Sequence, residues 1–165
     1  MPNHCFNRVK IYNNNTNNES ISLLHEIFSP KNETESIFGK LIPEPEWSKI
    51  PLSEEDVPGD GEVGELPVLV EDKVFGDYYK FKSTDCQDCR WYQWRIQNWA
   101  TKWDCYSLKL EDYAMPESFT VEFETAWSPP EPIFYAIKEK FDSDLSVSWF
   151  YDEPGCEIAG YLGGA

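Results

Sequence analysis

The chain has 165 residues, of which 41% are apolar and 16% aromatic, enough for a packed core and too many for a disordered chain. Thirty acids against fourteen bases give a formal net charge of -16. A chain so poor in Lys and Arg lacks the means to hold phosphates and is repelled by anionic lipid, which argues against direct nucleic-acid and membrane binding and leaves cations, basic protein surfaces or water as its partners.

The opening residues, MPNHCFNRVKIYN, contain no apolar run of the secretory kind, and no stretch approaches the roughly 18 apolar residues of a membrane span. The expectation is a cytoplasmic protein whose five cysteines (Cys5, Cys86, Cys89, Cys105 and Cys156) are reduced thiols. Cys5 to Tyr12 alternates, with Val9 and Ile11 on one face and Arg8 and Lys10 on the other, which predicts a strand. Asn18 is placed to cap a helix with Leu23, Leu24, Ile27 and Phe28 as its apolar stripe, ended by Pro30. Residues 30–82 then read as an irregular acidic, Pro-rich insertion within a single domain spanning 1–165. Eight acids lie between Glu44 and Glu65, and PVLVEDKVFGDYYKFK closes the segment as a hairpin.

Four of the seven tryptophans fall in RWYQWRIQNWATKWDCYSL. Tyr92, Ile96, Trp99 and Trp103 are spaced by four, three and four residues, one face of a helix, and Tyr92, Ile96 and Trp99 are expected in the core. Trp103 stands where the helix hands over to a strand. CYSLKLED and SFTVEFETAW form a hairpin whose inward row is Phe119, Val121 and Phe123. SPPE predicts a helix start, with Ser128 as N-cap and Glu131 completing a capping box; Ile133, Ile137 and Phe141 then face the core. LSVSWFY is a strand, DEPG a turn and CEIAGYLGG a last strand.

This order predicts an α+β protein of ferredoxin-like type: a split β-α-β-β-α-β with an extra C-terminal strand, an antiparallel sheet and both helices on one face. Following the strand directions, PNHC, NWATKWDC, TAWSPP and YDEPGC meet at one end of the sheet. They bring together His4, Asn98, Lys102, Trp103, Asp104, Trp127, Ser128, Asp152 and Glu153 as a candidate binding site. Asp104 with Glu153 would form a carboxylate pair suited to acid–base work or a divalent cation. The structural alternative has Lys102 bridging Asp104 or Glu153, and Trp127 covering the sheet end.

Other chemistry fits poorly. There is no G-x-S-x-G and no phosphate-cradling glycine loop, and the chain holds only two histidines. His25 falls at the edge of its helix stripe. His4 and Cys5 are strand neighbours and point to opposite faces. Cys86-x-x-Cys89 would need two more zinc ligands, yet His4, Cys5, Cys105 and Cys156 map to the far end of a helix on the order of 18 Å long. The pair reads as a disulfide-forming couple or as two incidental thiols. No metal and no cofactor are expected.

MPNHCFNRV, WYQWRIQNWATKWD, TAWSPP and YDEPG…AGY, together with FGKLIPEPEW, closely resemble the YubB-like family, small proteins with a ferredoxin-like domain carried by plasmids and bacteriophages. The resemblance covers residues 1–12 and 39–162, implies a mobile-element origin and this fold, and implies no activity. CQDC at 86–89 is not an expected family feature.

Two functions compete. In the first, the chain is a non-enzymatic interaction protein whose acids (Glu54, Glu55, Asp56, Asp60 and Glu62) occupy a basic, nucleic-acid-binding surface of a host protein, as a DNA mimic or anti-defence factor would. In the second, it binds a small molecule, or hydrolyses one, with the carboxylates and tryptophans at the sheet end. Exposed edge strands allow a monomer or a homodimer.

Overall fold

The computed structural model describes residues 3–57 and 61–164. Two compact units emerge, Met1–Pro43 with Arg95–Ala165, and Glu44–Trp94. The segment expected as an insertion is thus divided, with 30–43 belonging to the first unit.

The first unit is built on β1 (His4–Asn13), β4 (Tyr106–Glu111), β5 (Ser118–Ala126), β6 (Leu145–Glu153) and β7 (Ile158–Tyr161). They form one antiparallel sheet in the order β4-β5-β1-β6-β7. Alternation decides which side each residue takes. Cys5, Asn7, Val9 and Ile11 are fully buried, whereas Arg8, Lys10 and Tyr12 are exposed on the opposite face. Val9 pairs with Val121 on one side and Trp149 on the other, so the inward rows of the three central strands lie in register.

The helices of this unit, α1 (Glu19–Ile27), the short α2 (Phe38–Leu41) and α4 (Glu131–Phe141), supply the other half of the core. Ring packing runs without a break from Trp99 to Phe38 (5.8 Å), Phe123 (6.0 Å), Trp149 (5.7 Å) and Phe134 (5.9 Å), with Phe28 stacked on Phe123. Each of these six rings is at most 1% exposed, and burying a ring of this size contributes about 1.5–3 kcal/mol.

Several local expectations fail. In α1 Leu24 and Ile27 are buried as expected, with Phe28 just after it, but Ile21 takes the place of Leu23, which is 44% exposed. Asn18 is the N-cap but makes no side-chain cap, and Asn17 Oδ1 accepts from Glu19 N instead. The N-cap of α4 is Pro130, not Ser128, and the Ser128 hydroxyl donates to the Ala100 carbonyl. Ile133, Ile137 and Phe141 are buried as expected, with Phe134 beside them.

Helix α3 (Arg90–Trp99) contains the division between the units. Its only fully buried residue is Trp99, whose indole donates to the Ile42 carbonyl. Tyr92 and Ile96 share its face yet stay 48% and 42% exposed, which corrects their assignment to the core. Periodicity shows which residues share a face, not how far along the helix something covers it.

The second unit holds an antiparallel hairpin of β2 (Val68–Val70) and β3 (Tyr78–Lys80), extended by a bridge from Lys80 to Gln87. Its buried side chains include Leu52, Phe81 and an ion pair between Asp88 and Arg90. Among the described residues no helix is long and apolar enough to cross a membrane.

Candidate functional site

The end of the sheet is stapled together by hydrogen bonds. His4 opens β1 opposite Ala126, and its Nδ1 contacts the Tyr106 hydroxyl. Trp127 N donates to the Asn3 carbonyl at 2.9 Å. Thr101 Oγ1 donates to the Ala126 carbonyl and accepts from its amide, tying the loop after α3 to the end of β5. The four stretches expected at this end therefore do meet there.

Their side chains do different things. Lys102 forms no ion pair with Asp104 or Glu153; its Nζ sits 4.4 Å from the Trp103 ring centroid and 5.8 Å from that of Trp127. Trp103 is 39% and Trp127 56% exposed. Trp127 has φ +78°, a conformation that costs a bulky residue free energy and here turns its ring outward. Asn98 lies half-buried in the last turn of α3, and Asp152 half-buried on β6 opposite Phe6.

The two carboxylates expected to work as a pair have separate partners. Asp104 accepts from Ser36 Oγ (2.6 Å), Ile37 N (3.0 Å), Phe38 N (3.2 Å) and Cys105 N (2.8 Å). It caps α2 from across the chain, and its lone pairs are committed to that task. Glu153 is fully buried, with Oε2 taking the Cys156 amide and Oε1 finding no hydrogen-bond partner. Gly155 lies against it: a Cβ there would stand 2.9 Å from Oε1 and 2.3 Å from the Asn3 amide nitrogen. Both histidines are engaged, His4 with Tyr106 and His25 with Asp112 at 3.0 Å, so neither faces a serine or cysteine nucleophile. Among the described residues no group of three or more His, Cys, Asp or Glu is arranged to hold a metal ion.

The acids expected to face a partner are in the second unit. Glu54, Glu55, Asp56 and Glu62 are exposed, and Asp56 accepts from Ser53 Oγ; Asp60 lies outside the described residues.

Burial sorts the thiols. It pushes the Cys5 thiol up to about 11 and raises that of Cys105 well above the ordinary value, with Asp104 adding to the second. Cys156 is exposed but raised by its hydrogen bond to Glu153. Cys86 and Cys89 are exposed. Since the thiolate is the reactive species, iodoacetamide at pH 8 is expected to label Cys86 and Cys89 first and leave Cys5 unlabelled until the chain is denatured. Peptide mapping of the native protein checks this, and early labelling of Cys5 would contradict its burial.

One feature escapes the sequence. A cavity of about 220 Å³ in the second unit is lined by Trp47, Tyr78, Tyr79, Trp91, Asp77 and Asp88, with Gln87. These come from three separated segments, and no spacing announces them.

Residues 99–163 match the family model described as the ferredoxin-like domain in Api92-like protein. No curated protein matches the sequence. Among solved structures, that of the protein api92 from Yersinia pseudotuberculosis resembles this chain with a TM-score of 0.51 at 8% identity, covering 98% of this chain and 93% of that one. At that identity the likeness speaks for the fold alone, and together with the family match it makes the C-terminal part of this chain similar to the ferredoxin-like domain of Api92-like proteins.

Proposed function

We propose that the chain is a non-catalytic interaction protein, an acidic insertion carried on a ferredoxin-like domain, that engages a basic surface of a host protein. The observation that carries this reading is the uncompensated charge of residues 44–94, which hold thirteen acids and five bases. Three of those bases are already spent within the unit, Lys49 on Glu46, Lys80 on Asp85 and Arg90 on Asp88. Glu54, Glu55 and Glu62 are exposed and have no cationic partner among the described residues. Such a surface steers and orients a basic partner, and its contribution falls with salt. The likeness of four motifs to the YubB-like family supports a plasmid or phage setting, hence a cytoplasmic host partner that itself handles nucleic acid.

The test compares wild-type chain with a variant carrying Glu54→Gln, Glu55→Gln, Asp56→Asn, Asp60→Asn and Glu62→Gln, both immobilised and exposed to nuclease-treated host lysate. A nucleic-acid-handling protein is expected on the wild type at low salt, lost at high salt, and bound roughly tenfold more weakly by the variant. Equal retention by both chains, insensitive to salt, would sink the reading.

A second reading, a small-molecule binder at the sheet end, is supported by exposed Trp103 and Trp127 around Lys102. Its hydrolytic form lacks support, because Asp104 is saturated and Glu153 is buried.

A further inference from the structure

We propose that the cavity of the second unit is a binding site for an organic ammonium ion. It stands apart from the acidic-surface reading and does not depend on it. Trp47 borders it from a short 3-10 turn, Trp91 from the first turn of α3, and β3 passes it with Tyr78 and Tyr79, strand neighbours of which only one can turn its ring to the space. At about 220 Å³ the space is smaller than the roughly 300–1,000 Å³ of drug-sized sites and suits a single head group.

The lining selects the charge. Four aromatic residues border the cavity, and among the described residues no lysine or arginine does. Aromatic faces carry negative quadrupole potential and attract cations, most strongly at tryptophan. Of the two carboxylates, Asp88 is neutralised by Arg90, which reaches both its oxygens at 3.0 Å. Asp77 is exposed, and its Oδ1 accepts only the Asp72 amide among the described residues. One uncompensated negative charge therefore remains at the rim.

An anion would meet that charge and the -16 of the whole chain. Calcium or magnesium would want six or more oxygen ligands and find one free carboxylate. A neutral apolar molecule would leave Asp77 unused. A compact cation with an apolar skin, which loses little on leaving water and gains from both rings and carboxylate, fits each feature. The unit already uses this chemistry once: the Arg90 guanidinium lies 5.2 Å from the Trp47 ring centroid and 5.5 Å from that of Phe81.

Tetramethylammonium chloride titrated into the full chain, against matched sodium chloride, tests the site by NMR of the indole N–H groups. Saturable shifts at Trp47 and Trp91, absent with sodium, are expected. Asp77→Asn keeps the oxygen that accepts from Asp72 and removes the charge. It should weaken binding about fivefold, the worth of one carboxylate a few ångströms from an ammonium in water. Trp91→Leu should weaken it further. A short lysine-containing peptide and its Nε-acetylated form then separate sources. Shifts from the free lysine peptide alone assign the site to a protein side chain, and shifts from tetramethylammonium alone assign it to a free small amine. No shift from either probe, or equal affinity in Asp77→Asn, overturns the proposal. Charge-neutralising the 54–62 acids leaves this readout untouched, so the two readings fail separately.

Discussion

Replacing Arg90 with alanine is expected to destabilise residues 44–94 by about 3–5 kcal/mol, the cost of leaving a buried charge without its partner. Arg90 is 8% exposed and Asp88 4%. Besides both Asp88 oxygens, the guanidinium donates to the Trp47 carbonyl at 3.1 Å and lies over the Trp47 and Phe81 rings. The described apolar side chains buried in this unit are few, Leu52 and Phe81 chief among them. A unit of this size has little hydrophobic stabilisation in reserve, so a loss of that magnitude is comparable to everything holding it. Lysine should not rescue it, because a point charge cannot fork to two oxygens and stack on rings at once. Replacing both partners with apolar residues should restore much of the loss, since no orphan charge remains. Hydrogen exchange at Phe81 N and Asp88 N, which bond the Cys86 and Tyr79 carbonyls, reads the result. Retained protection of both amides in Arg90→Ala would refute the argument.

Arg90 also marks where the sequence becomes opaque. Strands with clean alternation were legible: Val9, Ile11, Phe119, Val121 and Phe123 point inward as the period of two requires. Ile133, Ile137 and Phe141 were equally plain from their spacing. The burial of the α3 face was not legible: Tyr92 and Ile96 have the right period yet are only about half covered, and periodicity carries no information about coverage. SPPE has the composition of a capping box, but the Ser128 hydroxyl has a better offer from the Ala100 carbonyl, a contact 28 residues away that local patterns cannot register. The same holds for the site. Topology was enough to gather His4, Trp103, Trp127 and Glu153 at one end of the sheet, because strand order alone fixes which loops are neighbours. It could not foretell that Asp104 would be consumed in capping α2, some 66 residues earlier in the chain, or that Glu153 would turn to the buried side. Hydrogen-bond commitments of single carboxylates are set by tertiary contacts, and so is the Trp47–Tyr79–Trp91 cavity.

Asn7→Ala is expected to destabilise the first unit by about 3 kcal/mol. Cys5, Asn7, Val9 and Ile11 form the inward row of β1, and an amide in that row must find partners or forfeit its desolvation cost. It finds three. Asn7 Nδ2 donates to the Cys5 carbonyl at 3.1 Å and to Thr125 Oγ1 at 3.0 Å, and its Oδ1 accepts from Trp149 Nε1 at 3.0 Å. The amide thus links β5 to β6 across β1, the three strands at the centre of the sheet. Alanine strands the Trp149 indole N–H at zero exposure, which costs about 1–3 kcal/mol, and leaves a cavity that adds to it. Leucine fills the space but not the hydrogen bond, so it should recover only the cavity part. Trp149→Phe removes the orphan donor from the other side. A double-mutant cycle of Asn7→Leu with Trp149→Phe, followed by urea unfolding, should therefore show a coupling of about 1–2 kcal/mol, the double variant losing less than the two single losses together. Strict additivity would mean that the indole N–H does not depend on Asn7, and that this polar residue holds its place in the core by shape alone.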